Sequence, residues 1–448
     1  MTTPLEQWII KDAKLKGEYR KDLDAYQLNN IKETISYTRK HSSFYKKHLQ
    51  NITENKIFSL KDLSSIPFTY SGDIWDNPFD FLCIPYKSVE RIVTLNTSGT
   101  TGKEKRIFFT DKDLNMTVDF FASGFKAMVN SNDRVMIMMP GAAYGSVGDI
   151  IKKSLDKINV VNFVAGLMKD SYETAFFIKE NNINSIVALP MQILYLSRVH
   201  SDIFCQIEKL MLSADYVPEV LIQELTAKFN CSVFTHYGMT ETAYGCAVEC
   251  EELKGYHYRE NQLYLEVVNP LTGEVLEDGA WGEIAVTTFN REAMPLIRYR
   301  TGDWGAFKKD NCKCGTFLKT LERSKGRINN IINLCGRKIQ IREFDEMLLK
   351  FESVLDYKIT QENDNLKITL YLQGDDSCLG KAEADLDSFL QSKCSRKCKF
   401  ILVSEGKKNI EFPHNTMIKR APHWKFKEVG KGFTPPGGKP EKILLNNH

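Results

Sequence analysis

The sequence predicts an α/β protein with a large N-terminal domain over residues 1–326, built on mostly parallel sheets covered by helices and carrying an antiparallel β subdomain. A small, mobile α+β C-terminal domain over residues 327–448 completes it. Three observations predict this. Short apolar runs alternate with helical periodicity between Arg134 and Tyr237, strands of alternating polarity replace them after Gly255, and a new strand and helix pattern begins near Arg327.

The elements follow in order. Leu23 to Leu49 carries apolar residues at helical spacing, and Leu60 to Pro67 and Phe79 to Val89 read as a connector and a short strand. A helix over Lys112 to Val129 precedes the buried strand Arg134 to Met139, which ends in the turn Pro140-Gly141. Strands at Val160–Val164, Ser185–Leu189 and Lys209–Leu212 then alternate with helices at Ser171–Asn181 and Met191–Val199. That rhythm is the signature of a parallel sheet with both faces covered. Ligands of such sheets sit at the carboxyl ends of the strands, where Pro140-Gly141, Pro190, Ser213-Ala214-Asp215 and His236-Tyr237-Gly238 all fall. Gln262–Val268 and Glu283–Thr287 form the antiparallel piece, with turns at Thr272-Gly273 and Asp278-Gly279. The last piece includes a helix at Glu343–Phe351, a strand at Leu366–Leu372 and a Gly/Pro-rich tail.

Composition excludes several classes. Among 448 residues, 42% are hydrophobic and 26% charged, which is ordinary for a globular protein, and the net charge of +3 is too small and too evenly spread for a nucleic-acid or membrane-binding surface. No stretch approaches the length of a membrane span, and Met1-Thr2-Thr3-Pro4 does not open a secretory signal, so a cytoplasmic setting is expected. There the odd total of 11 cysteines reads as free thiols and a metal site rather than as disulfides.

The run Thr97-Ser98-Gly99-Thr100-Thr101-Gly102-Lys103 is suited to phosphate. Glycines let backbone N–H groups converge on an anion, hydroxyls add donors and the lysine adds charge. The P-loop spacing is absent, since Gly99 and Gly102 stand three apart and Glu104 follows the lysine. Taken alone, the run reads equally well as a flexible loop between strands.

Two further motifs lift it out of that ambiguity: Thr235-His236-Tyr237-Gly238-Met239-Thr240-Glu241-Thr242, and Arg298-Tyr299-Arg300-Thr301-Gly302-Asp303. With these in order, the chain resembles the adenylate-forming superfamily of acyl-CoA synthetases. Val248-Glu249-Cys250, Glu292-Ala293-Met294-Pro295-Leu296-Ile297 and Cys312-Lys313-Cys314-Gly315 make it similar to the phenylacetate-CoA ligase group. The resemblance implies an ATP-dependent acid-CoA ligase: a small carboxylic acid, aromatic or arylacetic by preference, becomes an acyl-adenylate, and CoA then displaces AMP. An acyl carrier protein or another acceptor in place of CoA, and a non-catalytic nucleotide-binding homologue, remain open, as does a monomeric or homodimeric state.

The resemblance also implies roles. Ser98, Gly99, Thr100, Thr101, Gly102 and Lys103 would hold the terminal phosphates, Tyr237 would stack on adenine beside His236 and Gly238, and Thr240 would donate to the α-phosphate. Glu241 would hold Mg²⁺, a hard cation wanting oxygen ligands. Asp303 would accept from the ribose hydroxyls and Arg327 would contact the nucleotide. Ser213, Ala214 and Asp215 would neighbour the acyl group, with Asp215 serving either it or adenine, while Tyr144 and Gly145 would line the acyl pocket. Lys419 would be the catalytic cation of the first half-reaction, although Ile418 replaces the family's glycine. A hinge at Asn329-Asn330, where the family commonly has an acidic residue, would bring Gly336 to the pantetheine arm. Cys250, His257, Cys312 and Cys314 supply the Cys₃His set of a structural zinc site, with Cys246 in reserve.

Overall fold

The computed structural model describes residues 3–52, 54–96, 104–362, 365–394, 399–405 and 425–429. The loop at 97–103 and Lys419 therefore lie outside the described residues.

The chain opens with helices α1 (Pro4–Asp12), α2 (Tyr19–His41) and α3 (Ser43–His48). The single helical stretch expected up to Leu49 is broken at Ser42, whose extended backbone ends α2 and whose hydroxyl accepts from Tyr45 N to start α3. Phe79 to Val89, expected as a strand, instead holds the 3₁₀ turns Pro78–Phe81 and Tyr86–Ser88. Asn77-Pro78 and Pro85 explain this: each proline withholds an N–H from any ladder. After α4 (Ser71–Asp76), strands β1 (Arg91–Asn96) and β2 (Glu104–Phe109) pair antiparallel with Asn96 opposite Glu104.

Beyond α5 (Asp111–Phe125) come β3 (Arg134–Ile137), α6 (Val147–Lys157), β4 (Val161–Val164), α7 (Ser171–Glu180), β5 (Ser185–Ala188), α8 (Pro190–Val199), α9 (Ser201–Phe204), β6 (Lys209–Leu212), α10 (Glu219–Phe229) and β7 (Ser232–Tyr237). The five strands are parallel in the order β7-β6-β5-β3-β4. Apart from the polar residues that start them, Arg134, Ser185, Lys209 and Ser232, and Thr235 and His236 on β7, the strands other than the edge strand β4 are apolar and buried, as helices on both faces require. Strands β8 (Ala247–Glu249) and β9 (Tyr256–Tyr258) extend the same sheet antiparallel.

A separate antiparallel sheet joins β10 (Leu263–Val268), β11 (Gly282–Thr288) and β12 (Tyr299–Gly305). Strand β13 (Thr320–Leu321) returns to pair with β9. The C-terminal elements are the hairpin β14 (Ile331–Leu334) and β15 (Arg337–Gln340), helix α11 (Ile341–Leu348), β16 (Val354–Glu362), β17 (Asn365–Leu372), α12 (Leu379–Lys393) and β18 (Lys399–Glu405). Strand β19 (Lys425–Val429) pairs with β1.

Two polar anchors dock these elements on the sheet. The Arg198 guanidinium on α8 donates to the carbonyls of Leu349, Phe351 and Val354, which lie at the end of α11, in the turn after it and at the start of β16. Glu346 accepts from the Tyr216 hydroxyl at 2.6 Å and from Glu219 N and Val220 N at the start of α10, a carboxylate at a helix N-terminus. Among the described residues no helix is long and apolar enough to cross a membrane.

Candidate active site

A cavity of about 550 Å³ opens at the carboxyl ends of β5, β6 and β7. It gathers Ser213, Ala214, Asp215, His236, Tyr237, Gly238, Thr240, Glu241, Asp303 and Arg327, residues spread over more than a hundred positions of sequence.

Tight backbone geometry makes this possible. Thr240–Thr242 forms a 3₁₀ turn, and Ala243 and Tyr244 follow with φ of 52° and 70°, which folds the chain back on itself. A Cβ at Gly238 would stand 1.8 Å from the Tyr244 carbonyl oxygen and 2.6 Å from His236 Cε1, so glycine is required there. Gly238→Ala is expected to cost about 1–3 kcal/mol by overpacking, read as a lower urea midpoint. An unchanged midpoint would contradict the close approach.

Asp303 and Arg327 face each other across a backbone bridge, with Trp304 N bonded to Gly326 O and Ile328 N bonded to Gly302 O on either side. Arg327 Nε lies 3.1 Å from Asp303 Oδ1, and the Tyr237 hydroxyl donates to Oδ2 at 2.9 Å. Burial pushes the Asp303 carboxyl up from its ordinary value, and Arg327 and Tyr237 oppose that. Each Asp303 oxygen retains a second lone pair for a hydroxyl donor.

Glu241 is the most strongly held acid. Its Oε1 accepts from Lys105 and, at 2.8 Å, from the Tyr299 hydroxyl, while the Lys105 ammonium also donates to Tyr299 at 2.5 Å and to Ser71 Oγ at 3.0 Å. Both Lys105 and Glu241 are buried. Burial works against the Glu241 carboxylate, but the ammonium beside it prevails and holds its pKa at about 2. The carboxylate is therefore ionised at neutral pH, while burial pulls the Lys105 ammonium down from its ordinary value and Glu241 opposes that pull.

Sequence reasoning gave the nearby charge to Lys103 and missed Lys105. Its signal was alternation: on β2 the buried positions begin at Lys105 and continue through Ile107, an inward register that a solvated lysine would not take. Because Lys105 is anchored in the site, the segment 97–103 ends two residues from Glu241's partner.

Two expected residues stand elsewhere. Tyr144 and Gly145 do not line the cavity: the Tyr144 ring lies under the Lys153 ammonium and its hydroxyl donates to Asp111, while a Cβ on Gly145 would meet Leu114 and Arg91. The loop turns outward, and the wall is built instead by Val147 and Ile151 on α6, together with Phe121, Met139, Val187 and Met211. Gly336 is also away from the cavity, in the two-residue β14–β15 turn, where Cys335 and Gly336 take φ of 51° and 77°.

A second cluster lies apart. The ligand atoms of Cys250, His257, Cys312 and Cys314 all fall within 4.8 Å of one another. Cys250 Sγ is 3.7 Å from Cys312 Sγ, and Cys314 Sγ is 3.4 Å from His257 Nε2. Tetrahedral bonds of about 2.3 Å to sulfur and about 2.0–2.1 Å to nitrogen would separate such ligands by about 3.8 and 3.5 Å. His257 Nδ1 faces the Lys319 carbonyl at 3.3 Å, which leaves Nε2 for a metal. Cys246 is buried outside the cluster.

The AMP-binding enzyme family model matches residues 85–290, which hold most of the cavity. The phenylacetate-coenzyme A ligase of Escherichia coli (strain K12) is 26% identical over 344 residues, covering 74% of this chain and 77% of that protein. The phenylacetate-coenzyme A ligase of Thermus thermophilus is 27% identical over 352 residues, covering 75% and 78%. The matched segment is thus similar to AMP-binding enzymes, and about three quarters of the chain is similar to phenylacetate-coenzyme A ligases. Its fold agrees: the crystal structure of 2-hydroxyisobutyryl-CoA ligase in the postadenylation state, with 2-HIB-AMP, superposes with a TM-score of 0.73 at 18% identity, over 86% of each chain. The paired Asp303 and Arg327, the Glu241 carboxylate that Lys105 holds from behind the lining, and the apolar wall thus belong to one cavity.

Proposed function

We propose that the protein activates a carboxylic acid with ATP and transfers the acyl group to CoA. The acid's carboxylate oxygen attacks the α-phosphorus, pyrophosphate leaves, and the CoA thiol then attacks the acyl carbon of the adenylate and releases AMP. The observation that carries this reading is one cavity lined by an ionised carboxylate, the Asp303–Arg327 pair and an apolar wall. Such chemistry asks the protein for positioning and electrostatics rather than for a nucleophile.

In this reading Tyr237 and Asp215 flank adenine, Asp303 accepts from the ribose hydroxyls with Arg327 beside it, and Thr240 meets the α-phosphate. The loop from Ser98 to Lys103 holds the terminal phosphates. Glu241 would hold Mg²⁺ through Oε2, since Oε1 is engaged by Lys105 and Tyr299. That ion would supply positive charge for the departing pyrophosphate. The apolar wall suits an aryl or arylacetic acid, in keeping with relatives named as phenylacetate-CoA ligases. Cys250, His257, Cys312 and Cys314 would hold structural zinc, whose closed ligand set leaves no position for chemistry. The unbridged described cysteines accord with a cytoplasmic setting.

We place the domain boundary at residues 326 and 327. Rotation about Asn329-Asn330 between the half-reactions would have to release the Arg198 and Glu346 anchors. Lys419, outside the described residues, would meet the acid's carboxylate in the first half-reaction. Lys419→Ala is expected to slow acyl-adenylate formation about 10²–10³-fold while ATP still binds, as single-turnover assays and calorimetry would read. Unchanged adenylation would remove it from this role. Pyrophosphate release across a panel of carboxylic acids, with and without CoA, tests the whole reading: acid-dependent release with acyl-CoA as product supports it. Acyl-AMP that never yields acyl-CoA would move the acceptor to a carrier protein.

A further inference from the structure

The cavity also carries a pair of polar side chains, Ser213 and His236, to whose mutual hydrogen bond the adenylation reading gives no role. Ser213, half-buried after β6, places Oγ 2.7 Å from Nδ1 of His236 on β7. Thr235 also lines the cavity, but its hydroxyl donates to Glu249 and is committed there. Phe121 lies against the His236 ring, and Met139, Ile151 and Met211 line the same cavity; none of them offers a strong hydrogen-bond partner.

The state of the imidazole follows from its surroundings. Burial pushes the His236 pKa down to about 3, with Arg259 adding to the effect, so the ring is neutral. Its Nε2 is buried and has no partner among the described residues. A proton there would leave a buried N–H unpaired, a rare and costly condition. We therefore assign the proton to Nδ1 from the hydrogen-bond pattern. Nδ1–H then donates to Ser213 Oγ, so the serine hydrogen cannot point at the ring and is left for the cavity. The ring is held in place by Phe121, whose centroid is 5.0 Å away, and by Gly238.

We propose that the acid activated here carries, besides its carboxylate, an oxygen or nitrogen acceptor that meets the Ser213 hydroxyl, with His236 as the residue that directs it. The inference rests on the adenylation reading above. An acid with an entirely apolar side chain would strip water from that hydroxyl and return no acceptor, whereas a hydroxy, methoxy or keto acid of the same frame would satisfy it.

The test uses the full-length protein and acid-dependent pyrophosphate release. Values of kcat/KM are measured for phenylacetate and benzoate and for their ring-hydroxylated, methoxylated and keto counterparts. At least one oxygen-bearing acid is expected to exceed its parent by about tenfold or more. In Ser213→Ala that ratio should collapse toward one. His236→Leu should lower it, while His236→Asn, whose amide can donate to the serine, should keep part of it. Because the readout is a ratio within each variant, a loss shared by both acids leaves it unchanged, and an unchanged ratio in Ser213→Ala overturns the proposal. So does a parent acid that equals or exceeds all of its counterparts. Absence of pyrophosphate release with every acid is a different result: it overturns the adenylation reading and this inference with it.

Discussion

Lys105→Met is expected to remove about 3–5 kcal/mol of stability at pH 7, because it leaves the Glu241 carboxylate buried with its main counter-charge gone. Side-chain exposures of 1% for Lys105 and 3% for Glu241 mean that water cannot take the place of the lost ammonium. Denaturant unfolding measures the loss directly. The double variant Lys105→Met, Glu241→Gln should recover part of it, since removing both charges is far less costly than removing one. Equal stability of wild type and Lys105→Met would show that the pair is not buried in solution.

The same pair fixes a pH dependence. Glu241 has a pKa of about 2 in the folded chain against an ordinary 4.5, so its contribution is complete above about pH 4.5 and is lost as pH falls toward 2. That interval corresponds to about 3 kcal/mol. In Lys105→Met the carboxyl has no such depression, so the gap between the two proteins should narrow as pH falls through this window. A gap that stays constant from pH 7 to pH 3 would place the stabilisation elsewhere.

The second large effect lies at the cysteine cluster. The purified protein is expected to carry one zinc per chain, and Cys312→Ser to lose the metal together with several kcal/mol of stability. The reason is topological as well as chemical. Cys250 directly follows β8, His257 lies on β9, and Cys312 and Cys314 come from the loop before β13, so four bonds would tie three separate segments. Without the ion, three thiols and an imidazole would crowd one another with weak hydrogen bonds in place of those bonds. A chelator should lower the melting temperature of the wild type and leave that of Cys312→Ser unchanged. Wild type that carries no metal as isolated and is as stable as Cys312→Ser, or a wild-type melting temperature that the chelator leaves unchanged, would refute the site.

Much of the sheet was legible because buried parallel strands need continuous apolar runs, and Lys209–Leu212 was read to the residue. That Tyr237, Glu241 and Asp303 would come together was legible for a related reason: they sit on a strand end, a 3₁₀ turn and strand β12 next to Gly302 at φ 76°, where local sequence dictates local geometry. The apolar wall was not. Which of Tyr144, Val147 or Ile151 faces the cavity depends on how the loop before α6 packs against α5, and that long-range contact leaves no mark in the local pattern. Phe79 to Val89 misled because its apolar residues pack on α3 and β2 from 3₁₀ turns rather than from a strand.

The most direct measurement is ATP–pyrophosphate exchange by the intact protein, with no CoA present, as carboxylic acids are added one at a time. Exchange that appears with a particular acid, accompanied by a mass-identified acyl-AMP, is the predicted result. ATP binding without exchange for any acid would contradict the account, and would leave the cavity as a nucleotide site without adenylation chemistry.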